Sequence, residues 1–210
     1  MTGEHPYGWK HWVLMGLALA ALAAWGLRLW NLRPSDLLQK PVRKAPDFSF
    51  TDRSGRKVSN ADVRGKVWVA DFIFTGCAGT CPLLSGQLKR LQEEWKGNPG
   101  FGLVSFTVDP KRDTVEALRK YAANLQADEK QWFFLTGEKK DLFKAAQEGF
   151  QVTAKDDPQG APGFEFIHTT RMALVDPRGM IRGYYDGQEE EDMKKLRKDV
   201  RFLMGAAGGR

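Results

Sequence analysis

Val67 to Phe74 reads VWVADFIF, an almost unbroken apolar run that stops at Thr75-Gly76 and gives way to Cys77-Ala78-Gly79-Thr80-Cys81-Pro82. A run of this kind belongs to a strand covered on both faces, so the chain must supply layers above and below it. Pro82 then opens a helix, because proline is suited to the first helical positions, where its missing N–H costs nothing. Strand, short loop and helix start are thereby fixed, and the only two cysteines of the chain sit at the junction, four positions apart. Side chains four apart at a helix start lie on one face, and the free amides of that terminus favour the thiolate. Such a pair can hold a soft metal or cycle between dithiol and disulfide. It can also be a structural disulfide, or two buried thiols without chemistry.

The flanking sequence completes an α/β pattern. Asp47 to Asp52 alternates apolar and polar residues, turns at Arg53-Ser54-Gly55-Arg56, and predicts a β-hairpin with Lys57 to Ser59. The helix from Pro82 carries Leu83, Leu84, Leu88 and Leu91 and ends before Gly97-Asn98-Pro99. Phe101 to Val108 is a second strand, after which Asp113 and Glu116 predict a capped helix through about Asn124. A strand over Trp132 to Leu135 and a helix over Lys139 to Glu148 lead into a polar loop, Thr153 to Gly163. Met172 to Val175 and Ile181 to Tyr185 form a hairpin about Asp176-Pro177-Arg178-Gly179. The last helix has acidic residues first and basic ones later, and GAAGGR reads as a tail. The order predicts a mixed sheet with helices on both faces, and cysteines at the end of its first central strand fit a thioredoxin-like arrangement.

Ahead of this domain, His11 to Leu27 is a run of seventeen residues without a full charge, near the roughly 20 that a bilayer-spanning helix needs. Four of the seven tryptophans cluster towards its ends (Trp9, Trp12, Trp25, Trp30), as residues at the headgroup level do. A cleaved signal peptide ending near Ala21-Leu22-Ala23 is the competing reading, but apolar residues continue past that point. No cysteine lies near this run to carry a lipid. The expected organisation is an anchor over 1–33, a proline-bearing tether over 34–46, the thioredoxin-like domain over 47–204 and a tail over 205–210. The flank after the anchor is the more basic, with five Lys/Arg through Lys44 against Lys10 before it. Taken alone, this places the domain on the cytoplasmic side.

Charge also bears on partners. The net charge of +6 is concentrated in residues 1–46, leaving only +2 for the rest. The globular part thus lacks the basic surplus that a nucleic-acid backbone requires.

Of three histidines, His5 and His11 flank the apolar run and read as interfacial polar residues, whereas His168 closes the polar loop just before the strand at Met172. In a thioredoxin-like sheet the loop entering that strand approaches the cysteine-bearing turn. Two thiolates and an imidazole suit trigonal Cu(I) best and also admit Cu(II) or zinc. Glu165 is placed either to orient the imidazole or simply to be solvated. Asp71, inside the apolar strand, needs a partner if buried and is a candidate to tune the thiols. Asp109-Pro110 and Asp176-Pro177 are turn formers.

FTGCAGTCP, SFTVDPKRDT and IHTTRMALVDPRGMIRGYYDG, in that order, resemble the matching blocks of the Sco/SenC copper proteins, assembly factors for the copper site of cytochrome c oxidase. The similarity runs from about Pro46 to Phe202 and includes the single preceding anchor. Ala78 departs from the proline that many members carry after the first cysteine. The resemblance implies that Cys77, Cys81 and His168 bind copper in a domain on the outer side of the membrane. It also implies delivery to the oxidase's CuA subunit or another copper acceptor. Two other activities use the same cysteines. A thiol–disulfide reductase keeping a partner's copper-binding cysteines reduced needs no metal and survives loss of His168. Reductases of the thioredoxin type resemble one another in a two-residue spacer, which here is three. A peroxidase of the peroxiredoxin type would use Thr75, two positions before Cys77, but the second cysteine follows too closely for the usual resolving arrangement.

Overall fold

At the centre of an eight-stranded sheet lies the apolar strand foreseen above, now bounded as Val67–Ile73, with all seven residues buried. The computed structural model describes residues 9–31, 41–156, 166–168 and 170–208, with the backbone alone at 9–10, 28–31, 154–156, 166–168 and 207–208. Residues 157–165, which take in most of the polar loop and Glu165, and also His5 and Thr169, lie outside the described residues.

The chain divides into two units, Met1–Pro34 and Ser35–Arg210. The first holds helix α1 (Trp9–Asn31), whose side chains over 11–27 are all exposed. Among the described residues no helix is long and apolar enough to cross a membrane. The expected segment is therefore helical, but it is not described as a span.

In the second unit the strands are β1 (Arg43–Lys44), β2 (Ser49–Asp52), β3 (Lys57–Ser59), β4 (Val67–Ile73), β5 (Phe101–Thr107), β6 (Trp132–Thr136), β7 (Ala154–Asp156), β8 (Phe166–His168), β9 (Arg171–Val175) and β10 (Met180–Asp186). The helices are α2 (Asn60–Val63), α3 (Cys81–Glu94), α4 (Val115–Asn124), α5 (Lys139–Lys144), which continues into a π-helical turn over Ala145–Gly149, and α6 (Glu190–Gly208). The main sheet runs β1-β10-β9-β4-β5-β6-β2-β3, and β7 with β8 forms a separate pair. β4, β5 and β6 are parallel, and β9 and β10 return antiparallel to them. This is the mixed, thioredoxin-like sheet expected from the sequence, and the hairpin over 47–59 is its edge, β2 pairing with β3 and β6.

Side chains alternate across a strand, and here the alternation sorts two cores. Trp68 and Phe72 of β4 meet Phe106 of β5, Phe48, Phe50 and Phe150, with ring centroids 5.3 to 6.2 Å apart. Edge-to-face and offset pairs of this kind add about 0.5–1.5 kcal/mol each beyond area burial. Asp71, Ser105 and Trp132 occupy the opposite face, on the side where Ser85 of α3 bonds Tyr121 of α4 and Tyr121 packs on Phe134.

Several local expectations are revised. Cys81, rather than Pro82, is the first helical residue of α3, with Pro82 second. The buried face of α3 is Cys81, Leu84, Ser85, Leu88, Leu91 and Gln92, and Leu83 is exposed. The cap of α4 is Thr114, whose hydroxyl accepts from Ala117 N–H at 3.2 Å. Asp113 turns elsewhere. α6 runs to Gly208, through most of the expected tail, because alanines sustain a helix. β1 lies within the stretch read as a tether, β7 within the segment read as a loop, and β8 between that loop and the strand at Met172.

Candidate metal centre

The site is built where β4 ends. Phe74 leaves the sheet, and Cys77 N–H turns back to the Phe74 carbonyl at 3.2 Å, closing a turn with Thr75-Gly76 at its corner. Three residues later α3 begins, Leu84 N–H bonding the Thr80 carbonyl at 3.0 Å. Thr80 contributes no side-chain cap, so the first amides of α3 have no hydroxyl or carboxylate claiming them there. This is the environment expected to favour negative charge at sulfur.

The two cysteines differ in access. Cys77 is half-buried and packs against the core, whereas Cys81 is fully buried on the inner face of α3. Neither is in a disulfide, and the two thiols lie close enough for Cys77 to bear on the Cys81 sulfur. Burial pushes the Cys81 thiol well above its ordinary range. A hydrogen bond from the Phe74 backbone opposes this, and the neighbouring Cys77 and Asp71 reinforce it. The apolar wall that hides Cys81 thus works against its free thiolate; an ion binding both sulfurs would supply the missing positive charge.

Below the pair lies a polar chain. Ser105 Oγ donates to Asp71 Oδ1 at 2.5 Å and accepts Trp132 Nε1–H at 2.9 Å. Burial raises the Asp71 carboxyl to about 7, against the opposing hydrogen bond from Ser105. Tyr121, bonded to Ser85 at 2.8 Å, has its phenol raised by burial first, with the charges of Cys81, Asp71 and Cys77 adding to the effect. The Asp71 charge is thus among the causes that raise the Cys81 thiol.

A second cluster was not anticipated. The Asp113 carboxylate, fully buried, accepts Thr75 N–H at 3.1 and 3.2 Å and the Thr75 hydroxyl at 2.5 Å. It also accepts the Thr107 hydroxyl. Burial raises its pKa, and these bonds oppose the rise. Adjacent Asp113 and Thr114 are both cap-forming residue types and only one can cap; that was the available signal that the other serves a different partner. Asp109 and Asp176 are turn residues as expected. The Asp109 carbonyl accepts Arg112 N–H and Asp113 N–H, and Asp176 Oδ1 accepts Arg178 N–H and Met180 N–H.

His168 ends β8, where it pairs with Ala154. Its side chain lies outside what is described. β9 runs antiparallel to β4, Val175 facing Trp68 and Ala173 facing Ala70, so the start of β9 lies at the end of β4 that carries the cysteines. Thr170, at that entrance, accepts Gly187 N–H at 2.9 Å, and a Cβ on Gly187 would run into Leu84 in the first turn of α3. Among the described residues, no group of three or more potential metal ligands is formed. The structure brings Cys77 and Cys81 together and starts β9 at the same end of the sheet. Two adjoining sulfurs in an apolar wall fit a soft cation better than a hard one.

The SCO1/SenC family profile matches residues 38–204. The chain is 34% identical over 156 residues to the SCO1 protein homolog of Bacillus subtilis, spanning 73% of this chain and 79% of that one. It is 29% identical over 198 residues to the human mitochondrial SCO2 homolog, spanning 91% and 71%. Among solved structures, a SCO1/SenC family lipoprotein from Bacillus anthracis superposes with a TM-score of 0.71 at 32% identity, covering 80% of this chain and 99% of that one. BsSco, described as a member of the Sco family of cytochrome c oxidase assembly proteins with a disulfide switch, superposes with a TM-score of 0.68 at 31% identity, covering 79% and 96%.

Proposed function

Because the chain belongs to the SCO1/SenC family, we propose that it is a copper-binding assembly factor for cytochrome c oxidase. In this reading Cys77, Cys81 and His168 hold a copper ion and pass it to the CuA subunit, or to another copper acceptor, by ligand exchange. The observation that carries it is the adjacency of the Cys77 and Cys81 thiols between the end of β4 and the start of α3, the end of the sheet at which β9 begins. Copper is the cargo. What this chain contributes is a pair of soft donors, one reachable from outside and one held in the core, so that an acceptor can replace the outer donor while the inner one still holds. Attachment to a membrane through α1, with the domain on the outer side, belongs to the same reading. Its support is the exposure of every described side chain on α1.

The test is an anaerobic Cu(I) titration of the 210-residue chain against Cys77→Ser, Cys81→Ser and His168→Ala. Each serine variant is expected to lose tight binding, and His168→Ala to weaken mainly the Cu(II) form. Copper uptake by all three variants equal to that of the parent would end the proposal.

A second reading, thiol–disulfide exchange, draws on the unequal exposure of the two cysteines. The Cys77 thiolate attacks a partner disulfide, Cys81 resolves the mixed disulfide, and two electrons pass to the partner as Cys77 and Cys81 become joined. This activity persists in His168→Ala, which separates it from copper transfer.

A further inference from the structure

Between Thr75 and Thr80 the loop consists of Gly76, Cys77, Ala78 and Gly79. A Cβ added at Gly76 would meet nothing within 4 Å. Apart from Cys77 itself, no side chain in this stretch is large enough to wedge it in place. Its conformation is therefore set by the Cys77 N–H bond to the Phe74 carbonyl and by its two ends. The far end is secured by α3, with Cys81 buried in the core. The near end is Thr75, whose amide and hydroxyl both go to Asp113.

Asp113 is well placed to hold them. It sits in the loop after β5, 38 positions along the chain from Thr75. Its own N–H donates to the Asp109 carbonyl at 2.9 Å, and Asp109 N–H donates to Thr107 Oγ1 at 2.9 Å. Thr107 in turn donates to Asp113, and its strand lies in register with β4 up to Ile73. The carboxylate is thus clamped on one side by β5 and the following turn, and grips the cysteine loop on the other. Charged acceptors make the stronger hydrogen bonds, and buried ones hold a geometry without competition from water.

Building on the copper-binding reading, we propose that Asp113 is the positioning residue of the metal centre: by fixing Thr75 it sets where the Cys77 sulfur stands relative to Cys81. Asp113 acts through the amide and hydroxyl of Thr75, two residues before the ligand. Removing its carboxylate leaves the Thr75 amide and hydroxyl without this acceptor, so that the turn carrying Cys77 keeps only the Cys77 N–H bond to the Phe74 carbonyl and loosens. Residues that orient ligands from behind typically contribute 10- to 100-fold to metal affinity.

The experiment measures two quantities on the 210-residue chain. One is Cu(I) affinity, by competition with bicinchoninate; the other is the rate of Cys77 alkylation by iodoacetamide in the metal-free protein. The variants are Asp113→Ala, Asp113→Asn, Thr75→Val and, as a stability control, Thr114→Ala, which removes the cap of α4 and leaves Thr75 untouched. Asp113→Ala and Thr75→Val are expected to lower Cu(I) affinity by roughly 10- to 100-fold and to change the alkylation rate. A variant combining Asp113→Ala with Thr75→Val is expected to be no worse than Asp113→Ala alone, and Asp113→Asn, which keeps one acceptor oxygen, to fall between. Thr114→Ala is expected to lower the melting temperature and leave both readouts unchanged.

A folded Asp113→Ala with the affinity and alkylation rate of the parent would overturn the proposal. So would an equal loss in Thr114→Ala, since general destabilisation would then suffice. If Asp113→Ala does not fold, Thr75→Val decides. If the parent itself takes up no copper, the copper reading fails, and the alkylation comparison alone decides whether Asp113 positions Cys77.

Discussion

Asp71 and Ser105 face one another across the parallel pair β4 and β5, Ser105 Oγ standing 2.5 Å from Asp71 Oδ1. The other oxygen, Asp71 Oδ2, has no hydrogen-bond partner among the described residues. Burial raises this carboxyl from 3.8 to about 7. The folded chain therefore keeps a proton that the unfolded chain gives up across that window. Stability from this group is complete below the unfolded value and is lost as pH rises through the folded one. In urea denaturation, the stability of the parent relative to Asp71→Asn is expected to fall by about 2–3 kcal/mol between pH 5 and pH 8. A difference independent of pH would remove Asp71 as its source.

Ser105 satisfies two buried groups at once, donating to Asp71 and accepting from Trp132. Ser105→Ala strands both. An unsatisfied buried polar group costs about 1–3 kcal/mol, so a loss of about 2–4 kcal/mol is expected at pH 7. Ser105→Cys, which can keep a weak donor, is expected to lose less. Chemical denaturation of the three proteins checks this, and a loss under 1 kcal/mol would count against it.

Thiol chemistry is expected to be one-sided. Cys77 is half-exposed, while Cys81 is buried with its thiol pushed up. Limited treatment of the reduced, metal-free chain with iodoacetamide at pH 7.5, followed by peptide mapping, is expected to label Cys77 well before Cys81. Equal labelling of the two in the folded protein would contradict this asymmetry.

Gly187 leaves no room for a side chain. A Cβ there would meet Leu84, Met172 and the Thr170 carbonyl, and Leu84 and Met172 are both buried. Overpacking at such a site costs typically 1–3 kcal/mol, the loss expected for Gly187→Ala. Gly55→Ala, where nothing lies within 4 Å but φ is +85°, is a useful contrast because its cost is conformational alone. Thermal unfolding of both variants measures the difference, and a Gly187→Ala as stable as the parent would show that the helix shifts freely.

The parts of this fold that were legible in the sequence are those whose signal is local and repeated. The continuous apolar run of β4, the spacing of Leu84, Leu88 and Leu91, and the Asp176-Pro177-Arg178-Gly179 turn each carry their own instruction. β1, α2, β7 and β8 are two to four residues long, too short for any period, and three of them exist through partners distant in the chain. The cysteines were legible as a site because no others compete with them. Asp113 was not, because its partner Thr75 lies 38 positions away while an obvious local role, capping α4, lay next to it. Thr114 takes that role.

Arg43 and Lys44 lie against Met180 and Ile181, with Val42 N–H and Ala45 N–H bonded to the Ile181 and Gly179 carbonyls at 2.8 Å each. β10 is a seven-residue strand, and without this strap its outer rim would offer a row of open amides and carbonyls to the next molecule. A rim only two residues long and bearing two cations is a poor template for such pairing. Chains shortened to begin at Asp47 would accordingly tend to self-associate and clump in concentrated solution, while those keeping residue 41 onward would stay dispersed.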